Sequence, residues 1–128
     1  MIGTSRSSRA GGRVAALLLA AALALAVVDT RAHAVIIGSS LQQSPVTAGV
    51  ATSVTLRFNS GIEVALSRVV LVTEGNARQV LAVHAGTKPG ELVVSVPALA
   101  EGRYALKYRV FAVDGHLTDD VIRFQVAK

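Results

Sequence analysis

Residues 102–116 read GRYALKYRVFAVDGH, and this stretch does most to decide the fold. Tyr104 to Val113 is the longest strand candidate of the chain. Tyr104 follows a turn and begins that strand, which is the sequence pattern of a tyrosine corner in Greek-key sandwiches. An ordinary core tyrosine is an equal alternative at this position. The stretch closes on Asp114-Gly115-His116, in which Asp-Gly is also a common turn dipeptide.

The chain on either side repeats a short strand pattern. Ser53 to Phe58 alternates between apolar and polar residues, as a strand with one buried face does. No helical periodicity is present after residue 33. Seven or so strands therefore predict an all-β fold, a Greek-key β-barrel or sandwich of immunoglobulin-like (cupredoxin-like) topology. The other strand candidates are Val35–Ile37, Ile62–Leu66, Arg68–Thr73, Arg78–Val83, Leu92–Val96 and Val121–Val126.

The first 32 residues have the three-part layout of a secretory signal peptide. A polar segment with three arginines precedes the uncharged, apolar run Val14 to Val28, and small residues follow. This run spans only about 22 Å of helix, which is short for a membrane anchor. We therefore expect export, with residues 1–32 as the signal peptide and residues 33–128 as one domain. Cleavage after Ala32 and cleavage after Ala34 both fit the peptidase rule.

Charge and cysteine content exclude several function classes. The leader contains much of the excess positive charge, and residues 33–128 are only mildly basic. Their Lys and Arg residues are scattered singly along the strand candidates, so we expect no nucleic-acid binding. The chain has no cysteine. It therefore has no disulfides, no thiolate metal site and no blue-copper centre, which needs a Cys ligand.

Two of the three histidines are candidate metal ligands. Asp114 and His116 are two residues apart, a spacing that in an extended segment points both side chains the same way. On spacing alone a simple turn is favoured. His84 ends a strand pattern with no partner nearby, and we expect it to lie exposed on the surface. Cleavage after Ala32 would make His33 the first residue, with an α-amine and a ring nitrogen that can chelate one metal.

These donors together match the preferences of one metal. His33 would contribute two nitrogens, His116 a third, and Asp114 an oxygen, and such an N₃O set suits Cu(II). The α-amine must lose its proton to bind, so affinity should fall with pH. The only methionine is Met1 in the leader, so the mature chain offers no thioether site for Cu(I). Cleavage after Ala34 would discard His33 and leave half a site.

The mature chain resembles the CopC family of periplasmic copper-resistance proteins over nearly its whole length. The likeness rests on His33-Ala34 at the export junction, on Val54–Phe58 with Ile62-Glu63, and on Gly102–Val110 leading to Asp114-Gly115-His116. The resemblance implies a Greek-key β-barrel and a Cu(II) site made by His33, Asp114 and His116. It also implies a periplasmic location and allows a membrane copper transporter as a partner.

Three positions depart from the family pattern. Tyr108 stands where the family usually has Trp, Leu117 where Pro often follows the His, and Ser60 where some members have a Glu ligand. None of these positions belongs to the predicted ligand set.

The favoured function is that of a periplasmic Cu(II)-binding protein for copper resistance or homeostasis, with one copper ion per chain and no enzymatic activity. One alternative is an exported immunoglobulin-like interaction module that binds no metal. Another is a copper enzyme that attacks polysaccharide oxidatively through an N-terminal His chelate. Such enzymes need a flat aromatic surface, and this chain has three Phe, two Tyr and no Trp. We therefore expect no polysaccharide partner.

Overall fold

Two four-stranded antiparallel sheets make up the fold. The computed structural model describes residue 3 and residues 34–128. The first sheet has the strand order β1-β2-β6-β5 and the second sheet has the order β4-β3-β7-β8. The predicted all-β Greek-key fold is confirmed as a sandwich, since the sheets do not close into a barrel. The eight strands are β1 (Ile36–Ser39), β2 (Thr52–Phe58), β3 (Arg68–Thr73), β4 (Arg78–Leu81), β5 (Val83–Ala85), β6 (Glu91–Val96), β7 (Gly102–Phe111) and β8 (Leu117–Val126).

Alternating side chains build the core between the sheets. In β2 the apolar residues Val54, Leu56 and Phe58 are buried, whereas the polar residues between them are exposed or half-buried. Tyr108 of β7 is only 1% exposed and contributes the largest fully buried side chain. Its ring meets that of Phe58 edge-on, with centroids 5.7 Å apart. Phe58 belongs to the first sheet and Tyr108 to the second, so this contact joins the two sheets within the core.

Two strand predictions are corrected by the structure. Ile62–Leu66 is not a strand, because Ile62 makes only an isolated bridge to Ala112 and Val64–Leu66 forms a 3₁₀ turn. The candidate Arg78–Val83 is divided into β4 and β5, which lie in different sheets. The chain crosses between the sheets at Ala82. An alternating pattern cannot reveal such a crossing, because both sheets bury every second residue.

The tyrosine corner is present. The Tyr104 hydroxyl donates a hydrogen bond of 2.9 Å to the carbonyl of Ala100, four residues earlier. The Tyr104 ring also stacks on Phe124 of β8 with centroids 5.8 Å apart. These contacts fix the start of β7, the strand that leads to the Asp-Gly-His motif. Among the described residues, no helix is long and apolar enough to cross a membrane.

Candidate metal centre

The Asp114-Gly115-His116 motif lies in the turn that joins β7 to β8. The Ala112 N–H donates to the His116 carbonyl at 2.8 Å, and the Gly115 N–H donates to the Ala112 carbonyl at 2.9 Å. Gly115 has a φ of 89°, a conformation that glycine adopts at little cost and other residues do not. The motif is therefore a tight turn, as Asp-Gly predicts.

The turn nevertheless brings the two predicted ligands together. His116 Nδ1 lies 2.9 Å from Asp114 Oδ2, and the His116 backbone N–H donates to Asp114 Oδ1 at 3.0 Å. The His116 side chain is 24% exposed and that of Asp114 is 41% exposed. Both carboxylate oxygens therefore contact the same histidine. Because Nδ1 faces the carboxylate, a metal bound by His116 in this rotamer is bound through Nε2.

The Asp114 carboxylate is held in its charged form. The hydrogen bond from the His116 side chain, together with that from the His116 backbone, lowers the pKa of Asp114 below its ordinary value. A carboxylate only accepts hydrogen bonds, so His116 Nδ1 carries the proton in this contact. Histidine that ligates a metal through one nitrogen commonly donates its other N–H to a carboxylate in this way.

Backbone hydrogen bonds from residues 61–67 hold the turn in place. The Val113 N–H donates to the Gly61 carbonyl at 3.0 Å, and the Glu63 N–H donates to the Phe111 carbonyl at 2.8 Å. The Ser67 hydroxyl donates to the Glu63 carbonyl and accepts from the Phe111 N–H. A Cβ at Gly61 would lie 3.2 Å from the Val113 side chain, so this approach suits a glycine. The two candidate ligands therefore project from a supported loop.

The start of the sandwich, at Ala34 and Val35, is attached to this same region. Ala34 is fully buried, and Val35 exchanges two hydrogen bonds with Asn59. The Val35 N–H donates to Asn59 Oδ1 at 2.8 Å, and the Asn59 N–H donates to the Val35 carbonyl at 3.0 Å. Asn59 is two residues from Gly61, which contacts the turn. The segment 59–61 thus links the entry of β1 to the Asp-Gly-His turn.

His33, the third predicted ligand, lies outside the described residues. Within residues 34–128, no group of three or more His, Cys, Asp or Glu side chains is placed to hold a metal ion. Asp114 and His116 are therefore two candidate ligands, and a metal site that includes them would require further donors.

The remaining residues singled out in the sequence do not join this pair. His84 is exposed on β5 of the first sheet, opposite Val93, and so belongs to a different part of the sandwich. Ser60 is half-buried, and its hydroxyl donates to the adjacent Gly61 carbonyl at 3.1 Å. The exposed surface position that the sequence predicts for His84 is therefore confirmed.

Comparison with known proteins identifies the family. The model of the CopC domain matches residues 36–127, nearly all of the sandwich. The chain belongs to the CopC family. The turn with Asp114 and His116 thus lies within the CopC domain. No curated protein sequence matches the chain.

Solved structures agree with this assignment. The CopC protein of Methylosinus trichosporium OB3b is 31% identical, with a TM-score of 0.62, and the match covers 73% of this chain and 93% of that one. PcoC, a methionine-rich copper resistance protein from Escherichia coli, is 22% identical with a TM-score of 0.58. That match covers 75% of this chain and 100% of PcoC. The likeness to PcoC concerns the fold alone. This CopC-family chain has no methionine after Met1.

Sequence reasoning missed the role of Asn59. The run Asn59-Ser60-Gly61 follows the Ser53–Phe58 strand candidate and by itself predicts only a turn, because Asn and Gly favour turns. The Asn59 side chain also anchors Val35, and that contact joins residues 24 positions apart in the chain. A local pattern carries no signal for such a contact.

Proposed function

We propose that this CopC-family protein binds one Cu(II) ion in the periplasm and sequesters or delivers it, with no reaction on a substrate. The observation that carries the proposal is the Asp114–His116 pair, held at 2.9 Å on a supported turn. An imidazole beside a carboxylate suits Cu(II), which favours N and O ligands. Delivery would require an acceptor, and a membrane copper transporter is the partner that we propose for that step.

His33 completes the proposed site. As a mature N-terminal residue it would supply an α-amine and an imidazole nitrogen, which close a chelate ring on one metal. The next residue, Ala34, is buried, and Val35 is bonded to Asn59. The backbone to which His33 is joined is thus anchored to the segment 59–61, and anchoring of that backbone lowers the entropy lost on binding. With a His116 nitrogen and an Asp114 oxygen, the set is N₃O.

Asp114 can serve this site in two ways. It can ligate copper directly, in which case Oδ2 exchanges its contact with Nδ1 for the metal. Alternatively, it can keep that contact and orient the ring, while His116 binds through Nε2. Asp114→Asn separates the two roles. Direct ligation predicts a changed Cu(II) paramagnetic resonance spectrum, whereas orientation predicts weaker affinity with the same spectrum.

The central experiment is a Cu(II) titration of the exported protein, followed by electron paramagnetic resonance. His116→Ala should lower the affinity at least tenfold and alter the spectrum. His84→Ala is the matched control, because it removes an exposed histidine from the other sheet. It should leave both measurements unchanged. Equal effects of the two variants would contradict the assignment of His116.

The N-terminus needs its own test. N-terminal sequencing of exported protein should give His33 as the first residue. One glycine inserted between Ala32 and His33 should weaken Cu(II) binding strongly, because the α-amine then belongs to another residue. An N-terminus at Val35 would show that His33 is removed with the signal peptide and is no ligand. Unchanged affinity in the insertion variant would show that the α-amine of His33 does not bind copper.

A further inference from the structure

The outer face of the second sheet gathers basic residues that the sequence separates. Directly paired residues of antiparallel strands share a face, and every second residue of a strand does so too. The strand registers place Arg68 opposite Arg109 and Val72 opposite Arg78, with Ala105 opposite Arg123. All the basic side chains are exposed. This basic face consists of Arg68, Arg78, Arg103, Lys107, Arg109 and Arg123.

Acidic residues balance only part of this charge. Arg109 pairs with Asp119 at 2.9 Å, and Arg103 pairs with Glu74 at 2.7 Å. The other four cations of the basic face make no ion pair within residues 34–128. The face therefore carries an excess of positive charge. The outer face of the first sheet differs, because its Arg57 lies opposite Glu91.

One pairing within the basic face opposes stability. Arg68 and Arg109 are direct cross-strand partners on β3 and β7. Like charges placed directly opposite destabilise a sheet. Asp119 pairs with Arg109 and offsets its charge. Arg68 makes no ion pair within residues 34–128, so its own charge is not offset. Repulsion of this kind is relieved when an anion binds, so the arrangement favours an acidic ligand.

Apolar residues lie among the basic ones. A depression of about 330 Å³ is lined by Arg68, Arg78, Lys107 and Arg109, by the valines Val70 and Val80, and by Asp119, the partner of Arg109. Val80 is 55% exposed, high for a valine in a strand. A segment of a protein can offer both carboxylates for the cations and an apolar side chain for these valines. Guanidinium groups, which predominate here, also bind carboxylates through two parallel hydrogen bonds.

We propose that the basic face is a docking surface for an acidic segment of a partner protein. Asp and Glu carboxylates of that segment would pair with the arginines, and an apolar side chain between them would cover Val70 and Val80. The basic face extends along β7 to Arg109, and the turn with Asp114 and His116 follows that strand. A bound partner would thus lie beside the candidate metal centre. The interaction itself requires no metal.

The test uses metal-free protein, purified as the cells process it, and a synthetic peptide of eight glutamates with a central leucine. Amide chemical-shift changes should fall on β3, β4, β7 and β8. The double variant Arg78→Glu with Lys107→Glu should lower the affinity at least tenfold. The double variant Lys88→Glu with Lys128→Glu is the control, because it makes the same change in net charge at two exposed positions outside the basic face, and it should change the affinity less than threefold. Circular dichroism establishes that each variant is folded.

Several outcomes would overturn the proposal. Shifts spread over both sheets, or equal losses for the double variant and the control, would indicate attraction by net charge alone. Tighter binding to vesicles of phosphatidylglycerol than to the peptide would assign the face to a lipid surface. Tighter binding to duplex DNA would assign it to nucleic acid. If the variant Arg78→Glu with Lys107→Glu binds the peptide with the same affinity as the unaltered protein does, the basic face does not take part in binding.

Discussion

At the scale of single residues, the Asp-Gly-His turn makes a carboxylate and an imidazole meet. Asp114 accepts two hydrogen bonds from His116, one from the ring and one from the backbone. Gly115 between them adopts a φ of 89°. The geometry of the pair therefore depends on a residue that bears no functional group.

Gly115→Ala should destabilise the fold by about 1–2 kcal/mol, because a side chain disfavours this backbone conformation. The loss is conformational, since a Cβ at Gly115 would meet no atom within 4 Å. Gly75→Ala is the control, because Gly75 also has open space around it and has no positive φ. Urea unfolding measures both changes. A cost for Gly75→Ala as large as that for Gly115→Ala would contradict the conformational explanation.

Tyr104→Phe should cost about 1 kcal/mol, the usual net value of one hydrogen bond. The variant removes the bond to the Ala100 carbonyl and keeps the ring that stacks on Phe124. Tyr108→Phe is a matched control in the same strand, because the Tyr108 hydroxyl makes no hydrogen bond within the described part of the chain. Thermal unfolding should show a lower midpoint for the Tyr104 variant than for the control.

At the scale of elements, the loop between β5 and β6 holds residues 58–62, the segment that contacts the Asp-Gly-His turn. The Phe58 N–H donates to the Gly90 carbonyl at 2.8 Å, and the Ile62 N–H donates to the Pro89 carbonyl at 3.2 Å. A Cβ at Gly90 would lie 2.6 Å from the Phe58 carbonyl oxygen, so no larger residue fits there. The loop thus fixes both ends of the segment that contacts the Asp-Gly-His turn.

Glu91 ties this loop together and makes its stability depend on pH. Burial acts to raise the pKa of Glu91, but hydrogen bonds from Thr87 and Lys88 outweigh it and lower the pKa below the ordinary value. A lowered folded-state pKa means that the carboxylate stabilises the fold at neutral pH. This contribution should be lost as pH falls below about 4.3, the unfolded value, and through the folded pKa.

Glu91→Gln should therefore lower the unfolding midpoint at pH 7 and have little effect at pH 3. Glu101→Gln is the control, since Glu101 is exposed and makes no hydrogen bond within residues 34–128. Thermal unfolding at both pH values measures the difference. If Glu91→Gln lowers the unfolding midpoint equally at pH 3 and pH 7, the loss of stability comes from a poor fit of the Gln side chain and not from the missing charge.

At the scale of the whole molecule, the sandwich depends on pairings between distant strands. β2 pairs with β6, and β3 pairs with β7, although several strands intervene in each case. Phe58 and Tyr108 then connect the two sheets through their rings. The sheets should unfold together, because the core they share is the main source of their stability.

A double-mutant cycle can test this connection. Phe58→Leu and Tyr108→Leu should each destabilise the fold, and the two effects should be non-additive by about 0.5–1.5 kcal/mol, the usual value of an aromatic pair. Urea unfolding of the four proteins yields the coupling. Phe58→Leu paired with Tyr104→Leu is the control cycle, because Tyr104 stacks on Phe124 instead. Equal coupling in both cycles would show that the Phe58–Tyr108 contact has no special role.

The sequence by itself determined the all-β class, because alternation within each strand is a local pattern. It offered the tyrosine corner and the Asp114–His116 pair only as candidates, beside a core tyrosine and a simple turn. Only the tertiary structure decided the crossing at Ala82, the anchoring of Val35 by Asn59 and the clustering of the arginines on one face. The physical reason is that packing between residues far apart in the chain decides which strands become neighbours. A local sequence pattern carries no information about such contacts.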